Sequence, residues 1–152
     1  MEYFKDDARR IAAGRQEFAD LIEAYPYMFK RTESPKDFFC YSPSIGDGWK
    51  PIFRRACAEI DAALTPDLKS RFRLTQVKEK LGGLRIYWIL TRGERAAVAE
   101  RVMPAIKRAE SASDRTCEIC GSTPATLWND AGRLQTVCTV HAKGKPATRR
   151  VP

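Results

Sequence analysis

Histidine is nearly missing from this sequence: His141 is the only one in 152 residues. Any scheme of catalysis built on an imidazole base therefore depends on that one side chain. Long apolar runs are missing too. None approaches the ~18 residues of a membrane helix, and the opening Met-Glu-Tyr-Phe-Lys-Asp-Asp lacks the apolar stretch of a secretory signal. The expectation is a cytoplasmic protein with no membrane partner. There is no glycine-rich phosphate loop, no H-E-x-x-H and no G-x-S-x-G, and the H-x-E and P-C-x-x-C pattern of base deaminases does not occur. Asp47, Glu59, Asp61 and Glu79 are the acids a carboxylate pair would draw on, yet a helix places Glu59 and Asp61 on different faces. The chain is read as a non-enzyme. Internal repeats and low-complexity tracts are also absent.

Cysteine is scarce, but its placement is informative. Three of the five cysteines fall in Cys117-Glu118-Ile119-Cys120 and Cys138-Thr139-Val140-His141, two knuckles with 17 residues between them. A Cys-x-x-Cys turn sets two thiolates on one side of a tight loop, and the second knuckle supplies the other half of a tetrahedron. Gly121 follows the first pair, and Asn129-Asp130-Ala131-Gly132 lies midway, where a hairpin can reverse the chain. The expected cofactor is Zn2+ held by Cys117, Cys120, Cys138 and His141. Four protein ligands leave no open position for water, so the role is structural. Of the remaining cysteines, Cys57 sits in a helical apolar stripe and reads as core, while Cys40 has no assigned place. Such usage suits a reducing compartment.

Charge is one-sided: 27 − 19 = +8, with Lys143, Lys145, Arg149 and Arg150 unopposed by acids near the C-terminus. An acidic partner is implied, either nucleic acid or an acidic protein surface.

The patterning predicts an α+β fold, with helices packed on a small antiparallel sheet. A helical stripe from Asp7 to about Tyr25 uses Ile11, Phe18, Leu21, Ile22 and Tyr25, and Pro26 to Lys50 reads as a long aromatic loop containing Phe29, Phe38, Phe39, Tyr41 and Trp49. Pro51 starts a second helix with Ile52, Phe53, Ala56, Cys57, Ile60 and Leu64 on one face. The period then changes to two in residues 71–91, on either side of Gly82-Gly83, a hairpin signal. With those glycines at the tip, Lys80 faces Arg85, Lys78 faces Tyr87, and Val77 faces Trp88. One face then carries Thr75, Val77, Leu81, Leu84, Ile86, Trp88 and Leu90, with Glu79 as a misfit; the other carries Gln76, Lys78, Lys80, Arg85, Tyr87 and Ile89. A third helical stripe, Val98, Val102, Ala105, Ile106 and Ala109, contains Pro104, which predicts a kink or two shorter helices. The expected division is an α+β domain over 1–114, a zinc ribbon or knuckle over 115–142, and a basic, mobile tail over 143–152.

Gly46-Asp47-Gly48-Trp49, the run Gln76-Val77-Lys78-Glu79-Lys80-Leu81-Gly82-Gly83-Leu84-Arg85, and the Cys-x-x-Cys and Cys-x-x-His end together resemble a largely uncharacterised group of small phage and prophage proteins. The resemblance covers about residues 46–141. It implies a bacterial cytoplasm, where small accessory proteins act on nucleic acid or block host defence enzymes. Two functions follow as expectations. In the first, Lys78, Lys80 and Arg85 meet phosphates of DNA or RNA, Tyr87 stacks on a base or sugar, and Lys143, Lys145, Arg149 and Arg150 extend the basic surface. In the second, the protein is an anti-CRISPR-like inhibitor that occupies a nucleic-acid-binding host complex, with the aromatic loop contributing contacts.

Overall fold

Pro51 supplies a preset φ in the first turn of a helix that runs Lys50–Ala63. Its stripe of Phe53, Ala56, Cys57 and Ile60 is buried, as the 3.6-residue spacing predicts. The computed structural model describes residues 12–30 and 43–149, and within them this helix is α3. Before it come α1 (residues 12–17), α2 (Ala19–Ala24), and 3-10 turns at Pro26–Phe29 and Asp47–Trp49. After it come α4 (Pro66–Lys69), β1 (Phe72–Lys80), β2 (Gly83–Leu90) and α5 (Arg95–Ser113). The α+β architecture is thus as expected. No helix among the described residues is long and apolar enough to cross a membrane.

The part of the first helical stripe before residue 12 lies outside the described residues, as do Cys40, Phe38, Phe39, Tyr41 and Arg150. The rest of the aromatic stretch packs inward. Met28 and Phe29 are buried, the Phe29 ring meets Phe53 edge-on at 6.4 Å, and the Tyr27 hydroxyl donates to Asp61 Oδ1 at 2.7 Å.

Helix α5 packs on α3 and along β2. It is one continuous helix and not two, although Pro104 lies inside it. Pro104 and Glu100 are both exposed, so water can satisfy the carbonyl that the missing N–H leaves free. The opposite side of α5 closes the outer edge of β2. Leu84 N–H donates to Ser113 Oγ at 3.0 Å, Ile86 N–H to Glu110 Oε1 at 3.3 Å, and Arg95 Nη1 to the Trp88 carbonyl at 2.8 Å. Burial holds the Glu110 carboxyl above its ordinary range, against the pull of the Ile86 N–H. Ser44 N–H covers the other edge by donating to the Val77 carbonyl at 2.8 Å.

The hairpin register differs from expectation by one position at the tip. Leu81 (φ 52°) and Gly82 (φ 79°) are the central turn residues, and Lys80 pairs with Gly83, Glu79 with Leu84, Lys78 with Arg85 and Val77 with Ile86. Positive φ at both central positions is the type I′ pattern, whose twist matches that of the strands. Gly82 meets that demand; Gly83 is already in β2. Leu81, assigned to the core face, instead projects from the turn and is 66% exposed. A bulge leaves Thr75 unpaired between Leu74 and Gln76. That extra residue puts Phe72 and Leu74 on the same face as Val77, where strict alternation would turn them outward. Phe72, Leu74, Val77, Leu84, Ile86 and Trp88 are all buried, and the Phe72 and Trp88 rings stack at 5.5 Å. Glu79 ceases to be a misfit: its Oε1 accepts the Gly82 N–H at 2.6 Å and closes the turn.

The C-terminal part has a small core of its own, formed by Cys117, Ala125, Val137 and Cys138. Strands β3 (Thr126–Asp130) and β4 (Arg133–Val137) flank the turn Ala131-Gly132, and β5 (Lys145–Pro146) pairs with β3 on its other side. Residues 150–152 lie outside the described residues, and residues 143–149, expected to belong to a basic tail, include this strand. Backbone pairing recruits these residues, since Ala147 N–H also donates to the Leu127 carbonyl at 2.9 Å, and apolar periodicity gave no sign of it.

Candidate metal centre and basic hairpin face

Each knuckle is a tight backbone turn. Gly121 N–H donates to the Cys117 carbonyl at 2.8 Å, with Gly121 at φ 78°, and His141 N–H donates to the Cys138 carbonyl at 3.1 Å. The hairpin β3–β4 brings the two turns together. The ligand atoms of Cys117, Cys120, Cys138 and His141 all lie within 4.8 Å of one another. Cys138 Sγ is 3.2 Å and Cys117 Sγ 3.7 Å from His141 Nδ1, and Cys120 Sγ is 3.7 Å from Cys138 Sγ. A tetrahedral metal with bonds of ~2.3 Å to sulfur has sulfur–sulfur edges of about 3.8 Å. These four residues could bind a metal ion. Cys120 is the exposed member, and the Ser122 hydroxyl, 3.0 Å away, together with the Ser122 N–H draws its thiol down to about 6. A stabilised thiolate is the form that ligates.

The Gly-x-Gly-Trp stretch, distant in sequence, supports the first knuckle. Gly48 N–H donates to the Glu118 carbonyl at 2.8 Å, and the Trp49 indole N–H donates to the Thr116 carbonyl at 2.8 Å. A Cβ at Gly48 would overlap the Cys117 carbonyl oxygen, and one at Gly46 would overlap that of Glu118. Backbone therefore lies directly on backbone, which only glycine permits. The hairpin tip supports the ribbon from another direction: Thr136 Oγ1 donates to the Gly82 carbonyl at 2.5 Å, and a Cβ at Gly82 would strike Leu127. Arg149 fastens the joint. Its guanidinium lies 3.1 Å from Asp114 Oδ1 and donates to Thr136 Oγ1 at 2.8 Å.

The remaining candidate residues divide clearly. Lys78 and Arg85 are directly opposed across the two strands, in place of the expected Lys80 and Arg85, while Tyr87 opposes Gln76 and is 39% exposed. Lys80 is exposed at the end of β1. Their positions share the outer face of the hairpin, while the Arg85 guanidinium folds back to donate to the Leu84 carbonyl at 2.8 Å, on the side of Glu110. Lys143 and Lys145 belong to the ribbon, and Lys145 is exposed there. Arg149, expected on a polyanion surface, turns inward, because the Asp114 carboxylate, the Thr136 hydroxyl and the Gly82 carbonyl converge on its guanidinium. The four acids considered for catalysis are engaged separately: Asp47 with Lys50, Glu59 with Arg108, Asp61 with Lys69 and Tyr27, and Glu79 with the Gly82 N–H.

Sequence reasoning missed Gly46 and Gly48 as supports of the first knuckle. The signal was present: two glycines stand before a tryptophan with no turn pattern to account for them. Comparison with protein-family models, curated proteins and solved structures finds no match for this chain.

Proposed function

We propose that this protein binds nucleic acid, DNA or RNA, through the outer face of the β1–β2 hairpin, on a scaffold braced by one structural zinc. Three cysteine sulfurs and an imidazole whose ligand atoms lie within 4.8 Å of one another suit zinc, and a set of four leaves no ligand position for a substrate. The observation that carries the reading is the opposition of Lys78 and Arg85 with no acidic residue at any position of that face, beside an exposed Tyr87 ring. Like charges directly opposed weaken a strand pair, and a row of phosphates relieves that repulsion. The resemblance to small phage proteins agrees with an accessory role in a bacterial cytoplasm.

The test is the salt dependence of binding to labelled random-sequence oligonucleotides, followed by fluorescence anisotropy. Changing Lys78, Lys80 and Arg85 together to alanine should lower the log–log slope by about 2–3, one unit or slightly less for each phosphate no longer neutralised. An unchanged slope would remove this face from the interaction. A second reading, an inhibitor that occupies a host defence complex, is favoured by Leu81, Ile119 and Val140, three apolar side chains exposed in the hairpin turn and the two knuckles. Negligible binding to any oligonucleotide at low salt would favour it.

A further inference from the structure

Arg73 alternates with the core residues Phe72 and Leu74, so it belongs to the same outer face as Lys78, Lys80, Arg85 and Tyr87. It opposes Ile89 and stands diagonal to Tyr87. Unlike those neighbours it is buried, with 7% of its surface exposed. Its Nη1 donates to the Phe72 carbonyl at 2.7 Å, and its Nε has no partner. No carboxylate of a described residue forms an ion pair with it. Burial lowers its pKa, and no acidic neighbour opposes that effect. A guanidinium withdrawn from water without an anion is destabilising, and buried charges are as a rule paired. The Nη1 bond leaves Nη2 free to donate a charge-assisted hydrogen bond to a phosphate oxygen, with the buried Nε beside it.

The face is also narrow. It is two strands wide, roughly 5 Å from strand to strand, with Ser44 along the β1 edge and α5 along the β2 edge. That width follows one phosphodiester backbone. A duplex presents two backbones across a groove about 6 or 12 Å wide. We propose that the ligand is single-stranded nucleic acid, running along the hairpin from the turn to its open end, with Tyr87 under a base and the Arg73 guanidinium holding one phosphate at the far end. This rests on the nucleic-acid reading above.

Two measurements on the full chain test it. In the first, anisotropy compares a labelled oligothymidine of about 15 nucleotides with the matching duplex, for the wild type and for Arg73→Lys. The single strand should bind roughly tenfold more tightly than the duplex, and Arg73→Lys should weaken it roughly tenfold, because lysine keeps the charge and loses the planar guanidinium. In the second, the Nε–H resonance of Arg73 is followed in the wild-type chain, so that the result does not depend on a variant folding. It should shift on titration with oligothymidine. Equal affinity for duplex and single strand overturns the inference. So does an Arg73 resonance that stays fixed, or is already protected by an acid of this same chain, while the amides of Lys78 and Arg85 shift. No binding of any oligonucleotide by the wild type overturns the parent reading as well.

Discussion

A methyl group on Gly48 would overlap the carbonyl oxygen of Cys117 and lie 2.5 Å from the amide nitrogen of Gly121, whereas one on Gly132 would meet nothing within 4 Å. The two glycines thus separate steric from conformational demands. Gly132 has φ 93° and an open turn, so Gly132→Ala should cost only the left-handed penalty, about 1–2 kcal/mol. Gly48→Ala must move backbone that carries Cys117 and Cys120, two members of the cluster that could bind a metal. It should cost about 1–3 kcal/mol or more from overpacking and should weaken metal binding as well. Urea unfolding of both variants, with metal competition against a chromophoric chelator, measures both quantities; equal metal affinity in the two would contradict the assigned role of Gly48. Local chemistry explains what was legible at this scale. The Cys117, Cys120, Cys138 and His141 cluster could be read because a site that can hold a metal imposes short, fixed spacings. The support from Gly48 and Trp49 could not, because its partners lie 67 or more positions away.

At the scale of the element, periodicity was a good guide to faces and a poor guide to register. Every apolar position expected on α5 is buried, as are Val77, Leu84, Ile86 and Trp88 of the hairpin. Two local departures displaced the pairing. Leu81 adopts a positive φ that propensity assigns to asparagine or glycine, and the bulge at Thr75 reverses the alternation below it. The resulting opposition of Lys78 and Arg85 makes a direct prediction. Lys78→Glu converts a like-charged pair into an attractive one, so stability should rise by about 0.2–1 kcal/mol. Oligonucleotide affinity should fall at the same time, since a phosphate contact becomes a repulsion. Chemical denaturation and anisotropy on the same preparation check both signs. A fall in stability would contradict the register, and unchanged affinity would place Lys78 outside the binding face.

For the whole molecule, the two hydrophobic clusters are separate, yet the candidate metal site is where distant parts of the chain meet. Gly46 and Gly48 reach it from one direction, the Leu81-Gly82 turn from another, and Arg149 from the C-terminal side. Removing the metal should therefore do more than loosen the ribbon. Hydrogen exchange after chelation should rise for Cys117 to Arg149, for Gly82 and for Gly48, while the amides of α3 and the middle of α5 stay protected. Unchanged protection at Gly82 would show that the hairpin tip holds without the ribbon.

Those joints also set a tempo. The bond from Trp49 to Thr116 spans 67 positions of sequence and that from Thr136 to Gly82 spans 54. Contacts of such separation form late and reopen only with the larger unit, while a two-residue turn forms and breaks on its own. Cys117 and Cys120 sit within that long-range closure. An ion held there would loosen first at the exposed Cys120, and its full release would wait on the opening of the closure around the buried Cys117, so that the rate of loss would be a clock for that motion.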